Sequence, residues 1–344
     1  MVGPYLFIAF CCILLINLMK KNSHKSRFSI GIPAFKSKFL KECILSILSQ
    51  TYTNFELIIV NDCSPEPLGD IIKQFDDERI KYFVNETNTG ALNVVNNWNK
   101  CLNEADGEFF VLMGDDDSME PDYLEEFDKL IQKYPDLDVY HCRTRLINED
   151  SKPIMLTPSW PEYESVYENI WHRINSFRVQ YISDFVYRTD ALNERGGFFY
   201  LPLAWFSDDV SAYIASGDKG IAHTNKPVFN YRVNSLTISS TGNNEMKMEA
   251  IMQLNTWFNV FLAKKPSSAQ DALVHENISK GLKKYLQKKK INTIVYSLNK
   301  NILSSAYKWY KLRKKYRFTV NELLLAVFEH FKRKKVKEKF SSAQ

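Results

Sequence analysis

The sequence predicts an α/β fold with a mostly parallel central sheet flanked by helices, followed by a C-terminal helical extension. Two observations predict this class. Short apolar runs alternate with segments of helical spacing as far as Met113, and after Asn244 the pattern changes to lysine-rich helices. Alternating strands and helices imply parallel crossovers, which place a ligand site at the carboxyl ends of the strands.

The strands and helices of the first part follow from apolar periodicity. Four apolar runs predict strands, at Phe28–Ile32, Phe55–Val60, Ile80–Val84 and Phe109–Met113. Apolar residues at helical spacing predict three helices between them, at Phe39–Gln50, Leu68–Phe75 and Ala91–Glu104. Neither GxGxxG nor GxxxxGK[ST] occurs at the first turn, so a dinucleotide fold and a P-loop are not indicated.

Three consecutive carboxylates, Asp115, Asp116 and Asp117, follow the fourth strand. Adjacent like charges repel unless a cation lies among them, and hard oxygen ligands at a strand end suit Mg²⁺ or Mn²⁺ carrying phosphate oxygens. The alternative is a solvated acidic turn that caps the helix starting near Pro121. Taken alone, the turn is compatible with both interpretations.

Charge and apolar content divide the chain into three segments: 1–26, 27–244 and 245–344. Residues 264–344 hold 21 Lys and Arg against 5 Asp and Glu, a charge of +16, so the rest carries −11 of the total of +5. A basic tail indicates that this segment binds an anionic surface, and a membrane is favoured over nucleic acid. The third interpretation is that the lysines lie on solvated helix faces without a partner. Six scattered cysteines without CxxC argue against structural zinc or a disulfide framework and fit a reducing compartment.

The uncharged stretch Val2–Met19 is long enough for a marginal membrane span. Its flanking lysines all follow it, which is unlike a secretory signal peptide. By the positive-inside rule, the rest of the chain is expected on the cytoplasmic face, attached to the inner leaflet. A helix lying in the interface, or packed on the protein, is the alternative.

Several motifs together resemble a family of enzymes. They are IGIPAF at 30–35, SILSQTYTNFELIIVNDCS at 46–64, NTG at 88–90, AxGE at 105–108, GDDD before MEPDYL, the Arg188 to Phe198 stretch ending in GGF, FSDDVSAYIASG at 206–217, and Tyr231 with Arg232. Their order and spacing resemble a family 2 glycosyltransferase with the Rossmann-like GT-A fold, from about residue 28 to about residue 240.

The resemblance implies roles for particular residues. It implies donor contacts from a set drawn from several motifs: Pro33, Phe35, Asp62, Asn88, Gly90, Asn96, Asp115 and Arg232. Asp116 and Asp117 would bind the metal. Asp62 would accept a hydrogen bond from the nucleotide base, which favours uracil because its ring N–H is a donor; capping of the next helix is the alternative. For Arg232, pairing with a carboxylate stays open beside a phosphate contact.

The acceptor side is expected around the second acidic motif. The resemblance implies that Asp209 is the general base, with Asp208 as the alternative base or as an orienting group. A third possibility is that both acids only cap the following helix. Trp205, beside the motif, is expected to contact the acceptor.

Three positions depart from the family pattern. Gly114 replaces the first aspartate of the commoner motif, Val95 stands where an arginine is frequent, and Asn234 stands where many relatives have a histidine. The expected activity is inverting transfer from a nucleoside diphosphate sugar, UDP-linked, to a glycan or lipid-linked acceptor in bacterial surface polysaccharide synthesis. Because of these departures, a catalytically silent scaffold that binds nucleotide sugar or glycan stays an alternative. A nucleotidyltransferase is disfavoured, because the sequence has no Gly-rich first loop with a basic residue to hold a triphosphate.

Overall fold

One mixed sheet runs through the computed structural model, which describes residues 26–234, 243–299 and 301–341. Its ten strands are β1 (Ser26–Ala34), β2 (Phe55–Asn61), β3 (Ile80–Val84), β4 (Gly107–Leu112), β5 (Ser118–Met119), β6 (Val139–Ile147), β7 (Pro153–Leu156), β8 (Tyr163–Glu164), β9 (Phe185–Arg188) and β10 (Ile221–Arg232).

Helices cover the sheet and form the C-terminal region. They are α1 (Leu40–Leu48), α2 (Leu68–Ile72), α3 (Val94–Asn103), α4 (Tyr123–Lys133), α5 (Val166–Ile174), α6 (Thr189–Glu194), α7 (Ser207–Ser216), α8 (Asn244–Ala263), α9 (Ala269–Ser297), α10 (Ile302–Leu312) and α11 (Val320–Ser341). Short 3₁₀ turns occupy Ala91–Asn93, Ile182–Asp184 and Pro202–Ala204. The predicted helix Ala91–Glu104 is therefore a 3₁₀ turn followed by α3.

The strand order is β3-β2-β1-β4-β9-β6-β10-β5. The four predicted strands are β1 to β4, and their pairings are all parallel. β9 runs antiparallel between β4 and β6, while β6 and β10 pair in parallel. The carboxyl ends of β1, β2, β4 and β10 consequently lie along one edge of the sheet, where the predicted site residues follow the strands.

Strand β2 is buried at every one of its 7 positions, because both faces of the sheet are covered. Leu57 and Ile59 pack into the core under α1, whereas Ile58 and Val60 pack into the core under α3. This alternation follows from the two-residue period of a strand. Burial on both faces explains why the sequence shows a continuous apolar run instead of alternating polarity.

The C-terminal helices share a hydrophobic core with the earlier part of the chain. Leu254 of α8 and Leu282 of α9 pack in one cluster with Ile170 of α5 and Val210 of α7. The predicted boundary at residue 244 is thus crossed by a continuous core. Within the described ranges no helix is long and apolar enough to cross a membrane, and Val2–Met19 lies outside them.

Candidate active site

A cavity of about 590 Å³ opens at the carboxyl ends of the strands. The structure brings into its wall most of the residues predicted from sequence, from both acidic motifs: Pro33, Phe35, Asp62, Asn88, Gly90, Asp115, Asp116, Asp117, Trp205, Asp208 and Asp209. Asn96 and Arg232 are not among the residues that line it. The volume lies in the range of cavities that enclose small ligands.

The acidic turn is fixed to the end of β1. Oδ2 of Asp115 accepts hydrogen bonds from the backbone N–H groups of Phe35 and Lys36, both at 2.8 Å. Burial, followed by the charge of Asp116, raises the pKa of Asp115 to about 6. A Cβ on Gly114 would lie 2.7 Å from Oδ2 of Asp117, so a side chain at this position requires the Asp117 carboxylate to shift.

Asn234 lies beside the predicted metal ligand Asp116. Its Nδ2 donates to Oδ2 of Asp116 at 2.7 Å, and Nζ of Lys36 lies 4.0 Å from the same oxygen. The amide thus stands next to the acidic turn, where the resemblance places a histidine. It offers an oxygen atom as a weaker ligand than an imidazole nitrogen.

The donor atoms of the acidic turn fit a divalent cation by their chemistry. Asp115, Asp116 and Asp117 present carboxylate oxygens to one cavity, and such oxygens are the ligands that Mg²⁺ and Mn²⁺ take. Burial and then the charge of Asp116 raise the pKa of Asp117 well above its usual range, a crowding of like charges that a cation relieves. Among the described residues, no three His, Cys, Asp or Glu side chains converge on one point as metal ligands.

Asp62 organises the loop that follows β3. Its carboxylate accepts hydrogen bonds from Nδ2 of Asn85 at 2.8 Å and from the backbone N–H and hydroxyl of Thr89 at 2.9 and 2.7 Å. These contacts hold Asn88 and Gly90 in the cavity wall. Asp62 therefore positions the loop that carries the predicted donor contacts Asn88 and Gly90, and its own role as a base contact stays a prediction.

Asn97, rather than its predicted neighbour Asn96, lines the cavity. Asn96 is exposed on α3, whereas Asn97 is buried, accepts a hydrogen bond from Asn85 at 2.9 Å and donates to the carbonyl of Val60 at 3.3 Å. One residue of difference turns a helical side chain by about 100°. Alignment of a motif across a helix start cannot resolve this rotation without the structure.

Arg232 braces the acidic turn from behind the cavity. The fully buried guanidinium donates to the carbonyl of Asp116 and to the carboxylate of Glu42, both at 2.7 Å. Tyr231 lines the cavity, and alternation along β10 puts Arg232 on the other face. Of the two alternatives left open for Arg232, the structure shows the pairing with a carboxylate, that of Glu42.

Asp209 is held by one side chain from the end of α5 and one from the segment between α5 and β9. Arg173 donates from Nε and Nη2 to its two oxygens at 2.9 and 2.7 Å, and Gln180 donates to Oδ1 at 2.7 Å. The carboxylate is 4% exposed. A bidentate guanidinium pair of this kind fixes orientation strongly and leaves few free lone pairs.

Asp208 has a different environment. Within the described ranges no side chain forms a hydrogen bond or ion pair with its carboxylate; the backbone N–H of Asp209 is its donor. Burial, followed by the charge of Asp209, raises the pKa of Asp208 to about 7. Of the two acids, Asp208 has the free oxygen and the proton affinity of a general base near neutral pH.

The loop before α7 is strained. Leu203, Ala204 and Phe206 have positive φ angles of 61°, 52° and 73°, which non-glycine residues seldom adopt. Strain of this kind persists where the surrounding structure enforces it and clusters at functional sites. The loop places Trp205 and Phe206 in the cavity wall directly before Asp208.

Several cavity residues carry no signal that sequence reasoning used. Tyr181 and Tyr231 stack with ring centroids 4.1 Å apart, and the charges of Asp117 and of Asp208 both act on each ring. Arg173 and Lys289 also line the cavity. These residues come from remote segments, and only "YR" at 231–232 lay in a motif.

Residues 29–198 match the family described as "Glycosyl transferase family 2". This part of the chain is a family 2 glycosyltransferase domain. The match covers the sheet from β1 to β9 and the acidic turn, but it ends before the carboxylate pair of α7.

Among curated glycosyltransferases, three relatives illustrate the similarity. GlyA of Streptococcus pneumoniae serotype 4 is 31% identical over 46% of this chain and 23% of its own length. TuaG of Bacillus subtilis, whose name refers to teichuronic acid biosynthesis, is 32% identical over 30% of this chain and 40% of its own. WcaA of Escherichia coli K12, named for colanic acid biosynthesis, is 37% identical over 29% and 36%. The chain thus spans less than half the length of these relatives.

Solved structures share the fold. Staphylococcus aureus TarS 1–349, in complex with UDP-GlcNAc, has a TM-score of 0.58 at 17% identity, over 92% of each chain. Mannosyltransferase PcManGT of Pyrobaculum calidifontis, with GDP-Man and Mn²⁺, has a TM-score of 0.50 at 14% identity, over 94% of this chain and 95% of its own. The predicted GT-A fold with a C-terminal helical region is confirmed.

Proposed function

We propose that this family 2 protein is an inverting glycosyltransferase that moves a sugar from a UDP-linked donor to a glycan or lipid-linked acceptor in surface polysaccharide synthesis. One observation carries the proposal: a single cavity is lined both by the acidic turn at the end of β4 and by the carboxylate pair of α7, with the stacked tyrosines Tyr181 and Tyr231 also in its wall. Inversion needs these two acidic groups on opposite sides of the sugar.

The acidic turn and the loop held by Asp62 form the donor side. TarS, which has the same fold, is in complex with UDP-GlcNAc, and this supports a uridine diphosphate sugar as donor. PcManGT contains Mn²⁺, which supports Mg²⁺ or Mn²⁺ held by Asp116 and Asp117. When bound, such an ion neutralises charge on the departing diphosphate.

Asp208 is the base in this proposal. The acceptor hydroxyl oxygen attacks the anomeric carbon, the bond from that carbon to the diphosphate oxygen breaks, and the hydroxyl proton passes to Asp208. Its free oxygens support the assignment over Asp209, whose oxygens Arg173 and Gln180 occupy. Asp209 then positions the start of α7, and Trp205 is placed to contact the acceptor.

Attachment to the inner leaflet is part of the proposal. Leu303, Tyr307, Leu324 and Phe328 on α10 and α11 are 61 to 84% exposed. Exposed lysines, among them Lys332 and Lys335, lie on the same helices. An apolar helix face beside basic side chains suits an anionic bilayer. The relatives TuaG and WcaA, named for teichuronic acid and colanic acid biosynthesis, support polysaccharide synthesis as the setting.

Hydrolysis of a panel of nucleotide sugars, with and without Mn²⁺, tests the activity and the donor. We expect release of UDP from a UDP-sugar in the presence of the metal, and none from the Asp208→Asn variant. Binding of nucleotide sugar without hydrolysis or transfer would instead favour the silent scaffold. Preference for a GDP-linked sugar would overturn the uridine assignment alone.

A further inference from the structure

Helix α9 places a lysine in the cavity wall. Lys289 lines the cavity near the carboxylate pair, since Asp209 and Asp208 are the acids whose charges act on it. Its Nζ lies 5.3 Å from the ring centroid of Phe206 and 5.1 Å from that of Tyr285. Aromatic faces attract a cation without neutralising its charge.

The other cations of the cavity wall each have a carboxylate nearby. Arg173 forms its ion pair with Asp209 at 2.7 Å, and Nζ of Lys36 lies 4.0 Å from Asp116. For Lys289, no carboxylate oxygen among the described residues lies within 4.0 Å of Nζ. Burial lowers the pKa of Lys289, and the charge of Arg173 lowers it further. A half-buried ammonium without a close counter-ion is costly unless a ligand supplies one.

The position of Lys289 identifies which substrate would supply the anion. The proposed donor diphosphate lies at the acidic turn, whereas the acids whose charges act most on Lys289 are Asp209 and Asp208. Nζ of Lys289 also faces the ring of Phe206, next to Trp205 in the cavity wall. An anion that reaches Lys289 therefore comes with the molecule that Asp208 deprotonates.

We propose that Lys289 binds an anionic group of the acceptor, a phosphate or carboxylate close to the attacked hydroxyl. The inference rests on the proposed function, because it names the acceptor chemistry of the same cavity. The anion could belong to a lipid diphosphate or to a charged sugar within a glycan. In both cases the ammonium makes a charge-assisted contact that a neutral glycoside cannot make.

Binding of small probes to the full-length protein tests this without knowledge of the acceptor. The donor side is first saturated with UDP and Mn²⁺, or with GDP if it binds more tightly, so that added phosphate cannot enter it. Farnesyl diphosphate, glucose 1-phosphate, glucuronate and methyl glucoside are then titrated by calorimetry. The first probe represents a lipid headgroup, the next two represent charged sugars, and the last is the neutral reference.

We expect at least one anionic probe to bind more tightly than methyl glucoside, and Lys289→Met to weaken it about 10- to 100-fold. Lys289→Arg should restore part of the affinity. Lys288→Met, on the exposed neighbour in the same helix, is the matched control and should bind every probe as wild type does. A melting temperature within a few degrees of wild type establishes that the variants fold.

Equal affinity of the anionic probes for wild type and Lys289→Met would overturn the inference, and so would anionic probes that bind wild type no better than methyl glucoside. If Lys289→Met fails to fold, the comparison of Lys289→Gln with Lys289→Arg decides in the same way. Donor hydrolysis by wild type is measured separately. Its absence would count against the proposed function, whereas the probe affinities decide the role of Lys289.

Discussion

The two sides of the cavity are built in different ways. On the donor side, residues 28–119, several site residues follow closely on the end of a strand: Phe35 follows β1, Asp62 follows β2 and Asp115 lies three residues after β4. On the acceptor side, residues 165–290, the site combines α5, a strained loop, α7 and α9, which approach one another only through the tertiary core. The donor side is encoded locally, and the acceptor side depends on packing between distant segments.

The largest expected effect is at Asp208. Asp208→Asn removes the proposed base, so we expect sugar transfer to fall about 10²- to 10⁴-fold while nucleotide binding is kept. Asp209→Asn leaves the buried guanidinium of Arg173 without its charged partner, so it should also lower the melting temperature. Steady-state kinetics and calorimetric melting measure the two effects. Near-normal sugar transfer by Asp208→Asn would contradict this assignment. If Asp209→Asn then showed the large loss of transfer without a change in melting temperature, Asp209 would be the base.

A smaller effect is expected at the donor side. Asp116→Asn replaces a charged oxygen ligand by an amide, so we expect Mn²⁺-dependent binding of UDP to weaken at least tenfold, with the fold intact because the side chain is not part of the core. Isothermal calorimetry measures the affinity, and Asp150→Asn in the exposed turn before β7 is the control. Unchanged affinity for metal and nucleotide in Asp116→Asn would remove it from the metal site.

Acid should destabilise the sheet beneath the acceptor side. His141 and His223 are buried with their Nδ1 atoms 3.2 Å apart, and burial lowers their pKa values to about 3 and about 4. Below the ordinary histidine pKa of 6.5, the unfolded chain gains protons that the folded protein does not take up. Each histidine should therefore contribute a fall in the free energy of unfolding of about 1.4 kcal/mol per pH unit as the pH drops from 6.5 to about 4, whereas the raised pKa values of Asp115 and Asp208 contribute in the opposite direction.

Urea unfolding at stepped pH measures this slope. His223→Gln should reduce it by about one proton, and His275→Gln on α9 should leave it unchanged. Hydrogen exchange at pH 5 should show earlier opening of β6 and β10 than of β1 and β2. Identical slopes in wild type and His223→Gln would show that the histidine pair does not govern acid stability.

The smallest effect concerns the basic helices. In a chain that lacks residues 1–25, we expect binding to vesicles of phosphatidylglycerol and phosphatidylcholine to persist at low salt. Lys332→Gln in this chain should weaken vesicle binding about fivefold, because each basic residue near an anionic surface adds about 1 kcal/mol. Lys41→Gln on α1 is the control. Sedimentation with vesicles measures the bound fraction. A truncated chain that stays in solution at low salt would contradict membrane attachment through α10 and α11.

The difference between the two sides also explains which strands and site residues can be predicted from the sequence. Strands β1 to β4 and the acidic turn were predictable because a buried strand followed by polar residues is a local pattern. Asn96 in place of Asn97 shows the limit at a helix start, where a 3₁₀ turn precedes α3 and changes which side chain faces the cavity. Arg232 shows the same limit on a strand. The face of the sheet on which its side chain lies depends on how β10 pairs, and the sequence alone does not give that pairing.

The environments of Asp208 and Asp209 could not be predicted, because their difference comes from Arg173 and Gln180, which lie 36 and 29 residues before Asp209. Neither residue belonged to a motif. The basic pattern of residues 264–344 predicts an anionic surface as the partner of all their lysines, Lys289 included. Only the packing of α9 on α5 and α7 separates it from its neighbours.

Helix α9 fixes the position of Lys289 relative to the core and the cavity. The same helix anchors Leu282, Tyr285 and Leu286 in the core and carries Lys289 into the cavity one turn later. Deleting or inserting one residue after Leu286 would rotate Lys289 by about 100° and carry it away from the cavity. On the proposed role of Lys289, exchanging residues in place would alter acceptor preference, whereas a change in helix length at this point would remove the contact.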